Sequence, residues 1–158
     1  MGNEEQSIEE FWRKKEAEYG DRLVYRSIAQ LGSREGTSYI GILFLMEKIL
    51  CFEYTTSQRK TVLDLLLVRF KKEREDETRC IIVPREEIVS SFLIPTRKGK
   101  KFLNNPSATA EDILSYYREN HMDLLSRLIS GTSLCIVTSD KFFIFQTPEN
   151  KKWLEYLD

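Results

Sequence analysis

The chain has 158 residues, 41% of them hydrophobic, enough for one globular domain that buries about two thirds of the surface its unfolded form exposes. Its 24 basic and 25 acidic residues leave a formal net charge of -1, so no overall field draws it to nucleic acid or to an anionic membrane. No apolar run is long enough to cross a bilayer as a helix, and the N-terminal MGNEEQSIEEFW lacks the apolar core of a secretory signal.

A soluble, cytoplasmic chain is therefore expected. Gly2 invites N-myristoylation, but the pattern wants Ser or Thr at position 6 and Gln6 stands there. Ser7-Ile8-Glu9-Glu10 has the form of a capping box, in which hydroxyl and carboxylate each satisfy a free amide of a first helical turn, so a helix is expected from Ile8. Ile8, Phe11, Trp12 and Lys15 share one face of it, and Gly20 ends it.

From Leu23 the residue types change to the β-branched and aromatic ones that suit a pleated surface. LVYRSIAQ, SYIGILFLM, ILCFEYT and VLDLLLVRF read as four strands, the last at Val62 to Phe70. Only Glu47-Lys48 separates the second from the third, which makes an antiparallel hairpin. The mixed-charge stretch KKEREDET at Lys71 to Thr78 reads as a solvated loop, and CIIVP and IVSSFLI add two strands around Pro84-Arg85-Glu86-Glu87.

The basic run RKGKK, Arg97 to Lys101, reads as a loop leading into NNPSA. Thr109-Ala110-Glu111-Asp112 then forms a second cap, with Asp in the place of Glu, and a helix is expected from Ala110 to Ile129, stopped by Gly131. LCIVTS and KFFIFQT, joined at Ser139-Asp140, make a second hairpin, and Pro148 opens a final helix whose buried face is Trp153, Leu154 and Leu157.

Twice, then, the chain writes an apolar run, a short polar break and a second apolar run: GILFLMEKILCFEY from Gly41 and SLCIVTSDKFFIF from Ser133. Seven to eight short strands with tight connections call for a mainly β fold, an antiparallel barrel that the C-terminal helix caps. Residues 1–158 form a single domain, with a helical extension over 1–20 and a helical insertion over 104–131 before the last hairpin.

Gly41 to Met46 followed by Leu50-Cys51-Phe52, the run Ile82-Val83-Pro84-Arg85-Glu86-Glu87-Ile88, and the last hairpin with its Trp153 helix together resemble the pleckstrin-homology-like superfamily, within it the GRAM type. The resemblance implies a PH-like barrel that binds phosphoinositides through basic residues near the first hairpin loop. Here that loop is LGSREGT, Leu31 to Thr37, with one Arg and one Glu. A multiply phosphorylated headgroup needs several charge-assisted hydrogen bonds at once, more than a single Arg supplies.

No reaction chemistry stands out, and no catalytic residue, cofactor or metal is assigned. His121 is the only imidazole, Cys51, Cys80 and Cys135 are expected as buried small hydrophobes rather than ligands or a disulfide, and the run ending in Gly99-Lys100-Lys101 lacks the Ser or Thr and the first Gly, replaced by Ile94, of a phosphate-binding loop. The expected function is a non-enzymatic binding or adaptor module that docks a protein partner. Candidate partner contacts are Phe11 and Trp12 on the first helix and Tyr116, Tyr117 and Met122 in the insertion. The alternative is peripheral attachment to an anionic lipid surface through Arg97, Lys98, Lys100, Lys101 and Phe102, at about 1 kcal/mol per basic residue.

Overall fold

A computed structural model describes residues 2–55, 78–120 and 131–158. The elements run α1 (Gly2–Tyr19), β1 (Leu23–Gly32), β2 (Ser38–Met46), β3 (Ile49–Thr55), β4 (Thr78–Pro84), a 3-10 turn (Arg85–Glu87), β5 (Ile88–Pro95), α2 (Thr96–Asn104), α3 (Ala110–Asn120), β6 (Thr132–Thr138), β7 (Phe142–Gln146) and α4 (Asn150–Leu157). The strands form one open antiparallel sheet in the order β4-β3-β2-β1-β7-β6-β5. The protein is mainly β, with its terminal helix and its helical insertion before the last hairpin where the sequence puts them.

One covalent constraint bends this sheet. β4 and β5 are its two outermost strands, and in a flat sheet six spacings of about 4.8 Å would hold them about 29 Å apart. Yet only Arg85–Glu87 joins Pro84 to Ile88, a span of at most about 15 Å. The sheet must roll, and the aromatic contacts record it: Phe52 on β3 meets Phe145 on β7 edge to face at 5.2 Å, although β2 and β1 lie between those strands.

Rolling creates an inside. Leu31, Leu43, Leu45, Leu50, Phe52, Leu134, Ile136 and Phe145 fill it, and Trp153 of α4 closes one end, fully buried. The indole would strand a polar N–H there, but it donates to Ser27 Oγ at 2.8 Å. Tyr25 packs edge-on to Trp153 at 4.8 Å, stacks on Tyr156 at 4.6 Å, and donates its hydroxyl to Glu149 at 2.8 Å, which anchors both ends of α4. Burial, with help from the bond to Glu149, pushes the Tyr25 phenol up to about 12.

The outer faces are covered as well. α1 lies over Ile42, Phe44, Met46 and Cys51, with Trp12 edge-on to Phe44 at 5.3 Å. Lys15 reaches down to Glu53, Nζ to Oε1 2.7 Å. Desolvation alone would favour the neutral amine, but the hydrogen bond and charge of Glu53 hold Lys15 above its ordinary value of 10.5. On the other half, α2 and α3 cover Phe92, Ile94, Cys135, Val137 and Ile144. β2 and β6 are thus buried on both faces, which is why they read as continuous apolar runs rather than alternating ones.

Several local expectations hold. Gly20, at φ 60, follows the last residue of α1, and Thr109 and Asp112 exchange amide hydrogen bonds of 2.8 and 3.3 Å as a capping box at α3. Others are corrected. α1 begins at Gly2 rather than Ile8, and Ser7 is no cap but bonds back to the Glu4 carbonyl at 2.8 Å from within the helix. Pro148 precedes α4, whose first residue Asn150 instead accepts from the Thr147 amide and hydroxyl. Cys51 and Cys135 are buried, but Cys80 is exposed. The strand expected at Val62 to Phe70, and residues 121–129 of the inserted helix, lie outside the described residues.

If Trp153 is the stopper of the rolled sheet, Trp153→Ala lowers the unfolding free energy by about 3–5 kcal/mol in urea melts followed by circular dichroism. A loss below about 1 kcal/mol would mean that α4 merely rests on the surface.

Candidate functional site

The run expected as a basic loop is helical. α2 spans Thr96–Asn104 directly after Pro95, the last residue of β5, which has no N–H to give the ladder, and it packs through Thr96, Gly99 and Leu103. Glycine in a helix interior ordinarily costs about 1 kcal/mol. At Gly99 tertiary contact overrides that cost, because a Cβ there would sit 3.2 and 3.3 Å from the Ile144 side chain. A Cβ there would press on the Ile144 side chain, which would have to give by a few tenths of an ångström.

With that face turned inward, helical spacing places Lys100, Asn104, Arg97 and Lys101 along the neighbouring flank of the helix, all exposed. Among the described residues no carboxylate forms an ion pair with Arg97, Lys100 or Lys101. The remaining two members of the expected lipid-binding set are occupied. Lys98 lies 5.8 Å over the Tyr116 ring and Phe102 packs edge-on against Tyr116 at 5.5 Å, both half-buried.

Beside the cationic face lies a cleft of about 390 Å³ between α2 and the turn that joins β1 to β2. Its floor is Gly32, Leu103 and Ile144. Its walls are polar: Gln30 of β1, Ser33 and Thr37 of the turn, Ser38 of β2, and Thr96, Lys100 and Asn104 from α2. Gln30 Nε2 donates to Ser38 Oγ at 2.6 Å, and Thr96 shares a 2.9 Å hydrogen bond with Ser133 across the cleft's base. Lys100 is the one cation among the lining residues. Such a lining suits a polar group carrying negative charge, held by one ammonium and a ring of hydroxyl and amide groups.

Arg34, the only basic residue of the first hairpin loop, is spent on structure. Its guanidinium donates to the carbonyls of Asn105 at 3.0 Å and Ala108 at 2.7 Å and lies 4.9 Å over the Phe142 ring, which ties the loop to the segment between α2 and α3. The apolar partner contacts expected from the sequence are similarly absorbed. Trp12 is buried against the sheet with Phe11 edge-on to it at 5.1 Å, and Tyr117 stacks on Phe92 at 4.0 Å. Met122 and His121 lie outside the described residues.

No family model matches the chain, and no curated protein matches it. Among solved structures it is similar to the C-terminal domain of an unknown protein from Leishmania infantum, at 14% identity and a TM-score of 0.49, over 95% of this chain and 94% of that one. Among the described residues no helix is long and apolar enough to cross a membrane, and no group of three or more His, Cys, Asp or Glu is placed to hold a metal ion.

The close seating of α2 predicts that Gly99→Leu destabilises the protein by about 1–3 kcal/mol through overpacking, although leucine is the better helix former by close to 1 kcal/mol. Urea midpoints measure it. An increase in stability would show that α2 stands clear of Ile144.

Proposed function

We propose that the chain is a non-enzymatic binding module, a pleckstrin-homology-like barrel that docks an acidic segment of a protein partner. The observation that carries this reading is the exposed face of Arg97, Lys100 and Lys101 beside a hydroxyl-lined cleft that Lys100 enters. The resemblance implies antiparallel strands capped by a C-terminal helix, and the rolled sheet with α4 at its end supports the reading.

Charge and apolar area weigh the protein partner against a membrane. Three exposed cations contribute about 3 kcal/mol at an anionic lipid surface, too little for stable attachment without an inserted apolar side chain. Phe102, the nearest candidate, is packed on Tyr116 instead. An extended acidic segment gains more from the same cations, because a carboxylate seated in the cleft adds charge-assisted hydrogen bonds of about 1.5–3 kcal/mol each to the long-range attraction.

A fluorescein-labelled peptide of alternating serine and glutamate, followed by anisotropy, supplies the probe. The triple variant Arg97→Glu, Lys100→Glu, Lys101→Glu is expected to bind it at least ~tenfold more weakly, with an unchanged thermal midpoint, and added salt weakens the wild type in the same direction. Equal binding by the variant contradicts the proposal. So does a wild type that sediments with phosphatidylserine vesicles while ignoring the peptide.

A further inference from the structure

The cleft beside α2 holds hydroxyl protons that the fold leaves unspent. Ser38 Oγ accepts from Gln30 Nε2 at 2.6 Å, and Ser33 Oγ accepts from the Glu35 amide at 3.1 Å. Each hydroxyl carries one proton, and in both cases the neighbouring N–H occupies a lone pair and leaves that proton free to donate. At the cleft's base Thr96 and Ser133 share one hydrogen bond of 2.9 Å, so one proton of the pair is used and the other is left over, although Ser133 is only 1% exposed. A buried donor without an acceptor is costly, and a ligand oxygen in the cleft relieves that cost.

The charges around these donors have one sign. Lys100 lines the cleft and forms no ion pair among the described residues, and Arg97 and Lys101 lie on the same flank of α2. Among the described residues no Asp or Glu lines the cleft, and Glu35 of the adjoining turn is exposed outside it. Its 390 Å³ has room for about 13 waters at ~30 Å³ each, several times what one carboxylate displaces. A carboxylate brings two oxygens and a single charge, whereas a phosphomonoester brings three strong acceptor oxygens and a charge of about -1.5 to -2 at neutral pH.

We propose that the cleft is a phosphoserine site: it takes the phosphate of a phosphorylated serine within the acidic segment, with Lys100 as the charge partner and Ser33, Ser38 and the pair of Thr96 and Ser133 as neutral donors. The inference rests on the reading of this face as the docking surface of an acidic segment, and it names the group in that segment which the cleft selects. Arg97 and Lys101 are not among the lining residues; they attract flanking carboxylates and do not tell phosphate from carboxylate. A multiply phosphorylated lipid headgroup presents the same monoester but needs several cations converging on it, and the cleft offers one.

Two fluorescein-labelled peptides separate this from simple acidity on the full chain: the serine and glutamate repeat with its central serine phosphorylated, and the same repeat with glutamate at that place. Anisotropy is expected to give the phosphorylated peptide at least ~tenfold the affinity of the other. Lys101→Gln weakens both peptides by the same factor. Lys100→Gln, and separately Ser33→Ala combined with Ser38→Ala, bring the ratio of the two affinities down toward one, with thermal midpoints as in the wild type. A ratio that survives both variants places the phosphate elsewhere and overturns the proposal. Binding of the glutamate peptide with no gain from phosphate overturns the phosphoserine site and leaves the acidic-segment reading standing, whereas failure of both peptides overturns the two together. Free O-phosphoserine competing as well as the phosphorylated peptide would make the ligand a small phosphomonoester, and sedimentation with phosphatidylinositol phosphate vesicles in place of peptide binding would make it a lipid; either result also overturns the proposal.

Discussion

Everything in this protein follows from joining the two outermost strands of a seven-stranded sheet by three residues. That link cannot span a flat sheet, so the sheet rolls, and rolling brings β3 and β7 face to face across an interior neither could form with its ladder neighbours. The interior is apolar, open at its end, and closed by a tryptophan whose one polar atom finds Ser27. Rolling also leaves two convex outer faces, and α1, α2 and α3 cover them. Helix docking is thus a consequence of the sheet's curvature rather than a separate decoration.

The strands were legible because their burial dictates their residue types. β1, covered mainly on one side, alternates, while β2 and β6, covered on both, do not, and either pattern separates strand from helix when turns bracket it. The second capping box was legible because its two partners lie three residues apart. Helix α2 was not. Its sequence TRKGKKFLN has a central glycine and four cations, and what seats it on the sheet is the packing of Gly99 and Leu103 beside Ile144, 45 positions from Gly99 in the chain. Ser7 misled for the opposite reason: a local cap pattern sits inside a helix that already runs past it.

The candidate site was half legible. The basic residues were visible as a cluster, but which of them stay exposed depends on helical phase, and that phase sends Lys98 and Phe102 to Tyr116 and leaves Arg97, Lys100 and Lys101 outward. The cleft lining comes from β1, β2 and the turn between them, α2, β6 and β7, with no motif to join them in sequence. Arg34 illustrates the converse: a lone arginine in a loop suggests a ligand, and the fold uses it to fasten that loop. Cys80 differs from the two buried cysteines through its place in the outermost strand β4, which its neighbours in the chain do not reveal.

The rolled sheet is tested most directly by nuclear Overhauser contacts between the aromatic rings of Phe52 and Phe145, which sit on strands separated by two others. The account predicts a strong cross-peak, as ring centroids 5.2 Å apart require. Its absence, with Phe52 touching only residues of β2 and β4, would mean a flat sheet and would remove the interior, the stopper and the seat of every outer helix together.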